Sequence, residues 1–481
     1  MKKIYYLIFF VCVNLSAQNV PFTDAAFKSK VLLDPDINLN GDLEIQILEA
    51  SQATFMDVSQ SNINSLNGLE YFTNLKILDC SQNNISNIDL IYGLSTLEIL
   101  DCSANQYTAF NLVGLNSLTY LSCGNINCTS MSFNGQQNIT NLFFTTNQGT
   151  LDVSSLTGLQ ELEGNDGALT NIYFGNILLK KLRLFGIDLS SLDVSTLLAL
   201  DDLLIQSNIG SVTLGNLPQL LKVVIFGGQL TSLNVSGLTN LEFLLCNDNQ
   251  IATLDVTGLS HLQTVSCPNN NMTSLIINST NIALQQIICN DNNLTALNTS
   301  GLTSLIGLNI NNNYLTSLNL QGSPLLGAIV CNNNNLTELL IKNNSIETNL
   351  TIGGNPNLVY ICADPAQLVE VQNRIAFYGY TNCVVDSACN LSTNNPNANQ
   401  DFAIYPNPSN GKFTINYNNL DLNNSINLSL TDMQGRMVYE KENALTEVNT
   451  EINLENVLQA GVYFLKLKSN NFEKTIKVVV E

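Results

Sequence analysis

The sequence predicts a solenoid of stacked, short parallel β-strands, followed by a small antiparallel β-sandwich. Two observations carry the first prediction. The pattern Leu-x-x-Leu-x-Cys-x-x-Asn-x-Leu-x-x-Leu recurs between Leu241 and Leu340. Its cysteine position, called the anchor position here, recurs with spacings of 21, 22, 21 and 21 residues, at Cys246, Cys267, Cys289, Ile310 and Cys331. A fixed period of this length is the mark of a repeat architecture in which each turn packs on the next.

The anchor position extends beyond this stretch in both directions. With spacings of 20 to 22 residues it falls on Val58, Cys80, Cys102, Cys123, Phe144, Gly164, Leu184, Ile205, Phe226 and Ile352. The period and the leucine spacing are those of leucine-rich repeats. The fold class predicted for residues 52–357 is therefore a leucine-rich-repeat solenoid, a parallel β horseshoe or ribbon of about fifteen turns.

Each turn contributes one strand whose side chains alternate between the core and solvent. In one such strand Leu244 and Cys246 are predicted to point inward, and Phe243 and Leu245 outward. An asparagine stands three residues after the anchor in ten turns, where a buried amide must find hydrogen-bond partners. We therefore predict a structural ladder formed by Asn83, Asn105, Asn147, Asn208, Asn249, Asn270, Asn292, Asn313, Asn334 and Asn355.

Composition narrows the classes of partner. The 481-residue chain has a formal net charge of −21, and only 12% of its residues are charged. Such an acidic surface repels phosphate groups, which argues against nucleic acid and anionic membranes as partners. Lys2 and Lys3, followed by an apolar run and by Ala17, predict a signal peptide over residues 1–17. Nothing after it is apolar enough for a transmembrane span.

Cysteines fall into two groups. Seven occupy the anchor position, where they are predicted to be buried, reduced thiols, because parallel neighbours present a poor geometry for a bridge. Cys362, Cys383 and Cys389 lie beyond the repeats, where an exported chain is expected to form one disulfide. Our preferred pair is Cys362–Cys383, with Cys383–Cys389 as the alternative.

Residues 18–51 are predicted to cap the first turn, with a helix over Thr23–Leu33 that turns Phe27 and Val31 inward. The following polar loop is similar to a degenerate calcium loop. The preferred register supplies Asn38, Asn40, Asp42, the carbonyl group of Glu44, and Glu49 as ligands. It places Leu43 where a left-handed glycine is expected. A register that starts at Asp36 restores Gly41 to that place but puts Ile47 at the bidentate position. The alternative is a cap turn that binds no metal.

Residues 358–390 are predicted to form a C-terminal cap with a helix over Pro365–Tyr378, and residues 391–400 a polar linker. The last part, residues 401–481, has alternating strands separated by Asn- and Gly-rich turns. It predicts an antiparallel β-sandwich of six or seven strands.

No catalytic constellation is evident. The single histidine, His261, is expected on an exposed turn, and Glu161 and Glu163 are the best candidates for a glycosidase-like carboxylate pair. Outward positions instead suggest a binding patch on the concave strand face, formed by Leu204, Val223, Ile225, Phe243, Leu245, Lys181, Arg183 and Phe185. The predicted function is non-enzymatic binding of a protein or glycan at the cell surface. The alternatives are a self-assembling surface or matrix component and an unrecognised polysaccharide or peptide hydrolase.

Three motifs carry a family resemblance. Tyr405–Phe413 (YPNPSNGKF), Thr431–Arg436 (TDMQGR) and Gly461–Lys466 (GVYFLK) are similar to the type A C-terminal sorting domain of the type IX secretion system. The segments that begin at Thr23 and at Ile361 resemble caps of leucine-rich-repeat proteins exported by this system. The resemblance implies that residues 401–481 engage the secretion machinery of a Gram-negative bacterium. It also implies that the cargo is either released or attached to the outer-membrane surface.

Overall fold

The computed structural model describes residues 18–124, 127–175, 177–389, 402–417, 426–433, 436–442, 449–468 and 473–480. The predicted signal peptide and linker lie outside these ranges. The chain divides into two compact units, residues 1–387 and residues 388–481.

The first unit is built on one parallel sheet of fifteen strands, one from each turn, which confirms the predicted solenoid. Neighbouring strands pair in register, so that Leu244 lies beside Val265 and Val265 beside Ile287. In order, the strands are Phe55–Asp57, Ile77–Asp79, Ile99–Asp101, Tyr120–Ser122, Asn141–Phe144, Glu161–Asn165, Lys181–Phe185, Asp202–Gln206, Lys222–Phe226, Phe243–Leu245, Thr264–Ser266, Gln286–Ile288, Gly307–Asn309, Ala328–Val330 and Asn349–Thr351.

The return segments of many turns form short parallel strands of their own, which were not predicted from the sequence. Four pairs and one four-stranded sheet result. Their strands are Ala109–Asn111 with Ser130–Ser132, Thr150–Asp152 with Asn171–Tyr173, Ser191–Asp193 with Ser211–Thr213, Thr253–Asp255 with Ser274–Ile276, and Ser317–Asn319, Glu338–Leu340, Tyr360–Cys362 and Val384–Asp386 together. Each is only three residues long, and most have a single buried side chain, such as Leu254, so the alternation was too short to detect.

One anchor assignment is wrong by a single residue. Leu203 pairs with Val223 and Ile205 pairs with Ile225, so Ile225 and not Phe226 is the anchor of its turn. Val223 and Ile225 are fully buried. The predicted outward placement of Val223 and Ile225 is therefore wrong, because a shift of one residue moves a strand's whole side-chain set to the other face.

The asparagine ladder joins each turn to the one before it. The side-chain N–H groups of Asn270 reach the carbonyl oxygens of Cys246 at 3.0 Å and of Cys267 at 3.2 Å. Its carbonyl oxygen accepts the backbone N–H of Ile251 at 3.0 Å. Each amide thus satisfies backbone groups that would otherwise lie unpaired at the corner of the solenoid.

Two members of the predicted ladder are not part of it. Asn147 and Asn208 are exposed, and the buried corner is taken by Thr146 and Ser207, whose hydroxyl groups donate to the carbonyl oxygens of Cys128 and Ile187. Both turns are one residue shorter than most, with 20 residues between anchors. The corner therefore arrives one residue earlier in the sequence.

The N-terminal cap contains helices α1 (Ala25–Leu32) and α2 (Ile47–Gln52). Phe27 and Val31 are buried, as predicted. Asp24 caps α1 and also accepts backbone N–H groups of the first turn, at Asn64 and Ser65. Burial raises the pKa of Asp24, but these four donors outweigh burial and hold it below the ordinary value. The carboxylate thus ties the cap to the repeats.

The C-terminal cap contains a single 3₁₀ turn (Pro365–Gln367) and helix α3 (Leu368–Phe377). Val371 is buried against the core, whereas Phe377 is 82% exposed. Arg374 donates to the carbonyl oxygen of Leu350 at 2.6 Å, and the Tyr380 hydroxyl donates to that of Ile352 at 2.6 Å. These bonds fasten the cap to the last turn.

The predicted disulfide between Cys362 and Cys383 is wrong. Cys362 and Cys389 are disulfide-bonded, and Cys383 is a buried free thiol. Asp386 is the residue opposite Cys362. Cys383 lies three residues before it along the extended chain, about 10 Å away, which exceeds the reach of a disulfide, whereas the chain bends at residues 387 and 388 before it reaches Cys389. Burial raises the pKa of the Cys383 thiol to about 11. The seven anchor cysteines are buried and free, as predicted.

The second unit contains two antiparallel sheets, which confirms the predicted sandwich. Side chains such as Ile415 on one sheet and Leu428 and Leu465 on the other share one buried core. One sheet consists of Phe402–Tyr405, Lys412–Tyr417 and Asn449–Asn453, and the other of Met437–Lys441, Asn427–Asp432, Gly461–Lys468 and Glu473–Val480.

Candidate functional site

The solvent side of the fifteen-stranded sheet, called the strand face here, is the candidate site. Buried and half-buried or exposed residues alternate along its strands, as in Lys181–Phe185. Of the predicted patch residues, the structure places six on this face: Lys181, Arg183, Phe185, Leu204, Phe243 and Leu245. Only Val223 and Ile225 lie in the core.

Arg183 is held rigidly at the middle of the strand face. Its guanidinium group binds Glu161 on one neighbouring strand at 2.7 Å and Asp202 on the other at 3.1 Å. Glu161 also accepts the side-chain N–H of Asn141 at 2.9 Å. The network spans four consecutive strands, and its charged side chains are only 18 to 28% exposed. Partly buried pairs of this kind are screened less than exposed ones, so the arginine is fixed before any partner arrives.

An apolar strip adjoins this network. Leu204, Val224 and Leu245 lie side by side on three consecutive strands. Phe226 stands on the same face, and Phe243 is 37% exposed. Val224 and Phe226 were not predicted for this face, because the anchor of their turn was assigned to Phe226 and not to Ile225. The pair Leu220 and Leu221 made two registers possible, because each leucine lies five residues before a candidate anchor, Ile225 or Phe226. We call the set Lys181, Arg183, Phe185, Leu204, Val224, Phe226, Phe243 and Leu245 the central patch.

A ladder of aspartates occupies the other end of the face. Asp57, Asp79 and Asp101 lie side by side on the first three strands. The Ser59 hydroxyl and backbone N–H lower the pKa of Asp57. Asp101 accepts the same two groups from Ser103. Local donors thus stabilise the stacked charges.

The calcium-type loop is closed by its own hydrogen bonds. Gly41 has a left-handed backbone conformation, with φ of 69°, whereas Leu43 does not. The preferred register required a left-handed Leu43, and that expectation is wrong. The carboxylate of Glu49 accepts three backbone N–H groups, from Leu39, Asn40 and Gln46.

The other proposed side-chain ligands are occupied in the same way. Asn38, Asn40 and Asp42 each accept one backbone N–H, and Glu44 pairs with Lys28 at 2.7 Å. Within the described ranges, no cluster of three His, Cys, Asp or Glu residues is arranged to hold a metal. The geometry fits a cap turn better than a formed metal site, and calcium binding stays a prediction.

Of the catalytic candidates, His261 and Cys267 are separated by burial, whereas Glu161 and Glu163 stand on one face of the same strand and are engaged by neighbouring side chains. His261 is exposed and contacts the carbonyl oxygen of Thr239 at 3.0 Å. Cys267, the nearest anchor cysteine, is fully buried. Glu161 is engaged by Arg183, and Glu163 accepts the side-chain N–H of Asn165 at 3.3 Å.

Comparison with known proteins supports this architecture. Residues 403–481 match the family model of the secretion system C-terminal sorting domain, and residues 73–114 match that of leucine-rich repeats in two copies. No curated protein sequence matches the chain. None of the helices in the described part of the chain has the length and hydrophobicity that a membrane span requires.

Several solved structures are similar. The functional domain of InlJ from Listeria monocytogenes is 20% identical, with 96% of this chain and 98% of that one covered and a TM-score of 0.48. The internalin InlF from the same organism is 19% identical, with 78% and 99% covered and a TM-score of 0.41. YopM from Yersinia enterocolitica is 17% identical, with 65% and 89% covered and a TM-score of 0.34.

The repeat geometry and the repeat match define the class: this is a leucine-rich-repeat protein. Its C-terminal residues are a sorting domain of the type IX secretion system. The sorting domain indicates that the protein is exported, followed by release or by attachment to the surface.

Proposed function

We propose that the protein is a non-enzymatic binding protein, displayed on or released from the outer membrane of a Gram-negative bacterium, that holds a partner protein on the central patch. The single observation that carries this proposal is the composition of the patch. A rigid arginine stands next to a continuous apolar strip with two phenylalanines. Arginine and aromatic residues dominate the binding energy of protein interfaces.

The remaining features support binding rather than turnover. The carboxylates nearest to the patch are engaged by Arg183 or by Asn165, and the only histidine lies on an exposed turn. Pre-organisation of Arg183 lowers the entropy lost on association. The sorting domain delivers such a surface to the cell exterior, where a partner is encountered.

The proposal is tested by capture of extracellular proteins on the immobilised full chain. The test variant combines Phe243→Ala with Lys181→Glu, neither of which removes a side-chain hydrogen bond within the described residues. The matched control is Tyr173→Ala, an aromatic residue that is 56% exposed on a different sheet. We expect the test variant to lose a partner that wild type and control retain, at equal melting temperature. Equal retention by all three proteins would reject the central patch as the binding surface.

A further inference from the structure

A second region of the strand face differs from the central patch in its chemistry. It comprises the last six strands, from Phe243–Leu245 to Asn349–Thr351. Their solvent-facing positions are taken here as the outward residues of each strand together with the residue that follows each anchor. From Phe243 through Gly353, none of these positions carries a charged side chain. Asp248 and Asp291, which follow their strands, are hydrogen-bonded to Asn269 and Asn312.

The uncharged region is lined by amides and hydroxyl groups. Some amides bind each other, as Asn309 does when it donates to Asn290 at 3.3 Å. Others keep unused capacity. Within the described part of the chain the side-chain N–H groups of Asn247, Gln286 and Asn311 donate no hydrogen bond, although all three side chains are half-buried. An amide both donates and accepts, so it matches hydroxyl groups in either role.

A narrow apolar strip runs through these polar groups. Leu245, Ile288 and Val330 occupy equivalent positions on alternate strands and are half-buried. Ser266 and Asn309 stand between them. The strip offers hydrophobic contact without a deep pocket. Neighbouring strands are about 4.8 Å apart, so similar groups recur at regular intervals along the solenoid.

We propose that this region binds a neutral polysaccharide that crosses the strands. A charged ligand would find no counter-charge among the solvent-facing positions of this region, which excludes nucleic acid and anionic glycans as its natural occupants. A protein partner would be expected to meet arginine, tryptophan or tyrosine at the centre of an interface, and the solvent-facing positions here have none. A hydroxyl-rich uncharged chain uses both the amides and the apolar strip. Many weak repeated contacts then add up along one polymer.

The test is native affinity electrophoresis of the full chain in gels that contain a neutral polysaccharide, either galactomannan, xyloglucan, dextran or laminarin. Alginate and heparin serve as anionic comparisons. We expect at least one neutral polysaccharide to lower the relative mobility by about half and the anionic ones to leave it unchanged. If none of the four retards the protein, or if only the anionic gels do, the proposal is overturned.

Two variants locate the site independently of each other. Gln286→Ala with Asn311→Ala removes two amides with unused N–H groups, although the Asn311 side-chain oxygen also accepts the backbone N–H of Asn332 at 2.7 Å. Thr264→Arg introduces a bulky charge without removing a side-chain hydrogen bond within the described residues. Each is expected to raise the dissociation constant about tenfold, or about 1.4 kcal/mol. Circular dichroism melting verifies the fold, and if one variant is unfolded the other decides the question.

The Phe185→Ala variant of the central patch should bind the polysaccharide as wild type does. The site is rejected if a folded variant that carries Thr264→Arg, or Gln286→Ala with Asn311→Ala, binds the polysaccharide as wild type does. The two regions share Phe243 and Leu245, so Lys181→Glu and Phe185→Ala, which lie outside the uncharged region, are the variants that distinguish failure of one proposal from failure of the other.

Discussion

The asparagine ladder provides the sharpest test of the fold. Asn270 and Asn208 occupy the same place in the repeat by sequence, three residues after their anchors. In the structure Asn270 is buried and Asn208 is exposed. We therefore predict that Asn270→Ala strongly destabilises the protein, whereas Asn208→Ala barely affects it.

The magnitude follows from the individual hydrogen bonds. The backbone N–H of Ile251 loses its acceptor, and a buried unsatisfied donor costs about 1–3 kcal/mol. The Asn270 side chain donates to three carbonyl groups, and each of them keeps another donor. The loss of these hydrogen bonds therefore costs less free energy. Those remaining donors are the Asn249 amide, the Asn292 amide and the Asp248 backbone N–H. Together with the cavity left by the amide, we expect a loss of about 2–4 kcal/mol in the free energy of unfolding. For Asn208→Ala we expect less than about 0.5 kcal/mol.

Urea denaturation followed by circular dichroism measures the two variants against wild type. Hydrogen exchange gives a local readout, because the Ile251 amide should be protected in wild type and in Asn208→Ala but not in Asn270→Ala. The reasoning would be refuted by equal destabilisation of the two variants, or by an Ile251 amide that stays protected when Asn270 is replaced.

Three further predictions concern the core, the cap and the cysteines. Ile225→Ala should lower the free energy of unfolding by about 2–5 kcal/mol in urea denaturation, because the side chain is fully buried; a loss under about 0.5 kcal/mol would favour the outward register instead. Asp24→Asn should destabilise the N-terminal cap near pH 7. Folding lowers the pKa of Asp24, so its contribution to stability is full above the ordinary value of 3.8 and is lost as the pH falls through the folded pKa. The melting temperatures of wild type and variant should therefore converge in acid. A difference that persists or widens there would contradict this prediction. Under denaturing, non-reducing conditions, mass spectrometry should find Cys383 alkylated and Cys362 and Cys389 modified only after reduction; alkylation of Cys389 without reduction, with Cys383 modified only after it, would restore the pairing expected from sequence.

Much of the solenoid could be predicted because its information is local and repeated. The leucine period fixed the number of strands in the main sheet, and fourteen of the fifteen anchor positions agree with the observed pairing. The exception arose where Leu220 and Leu221 allowed two registers. Val224 was lost from the candidate site for that reason, whereas Arg183 and Phe185 were found because their turn has only one register.

The sequence by itself determined the solenoid, its orientation of alternating side chains, the caps and the sorting domain, since each depends on residues close together in the chain. Only the tertiary structure decided which asparagines enter the ladder, which cysteines join and which charges meet around Arg183. These depend on the spacing between turns. Glu161 and Asp202 lie 22 and 19 residues from Arg183, and only parallel pairing of neighbouring strands brings their carboxylates to its guanidinium group.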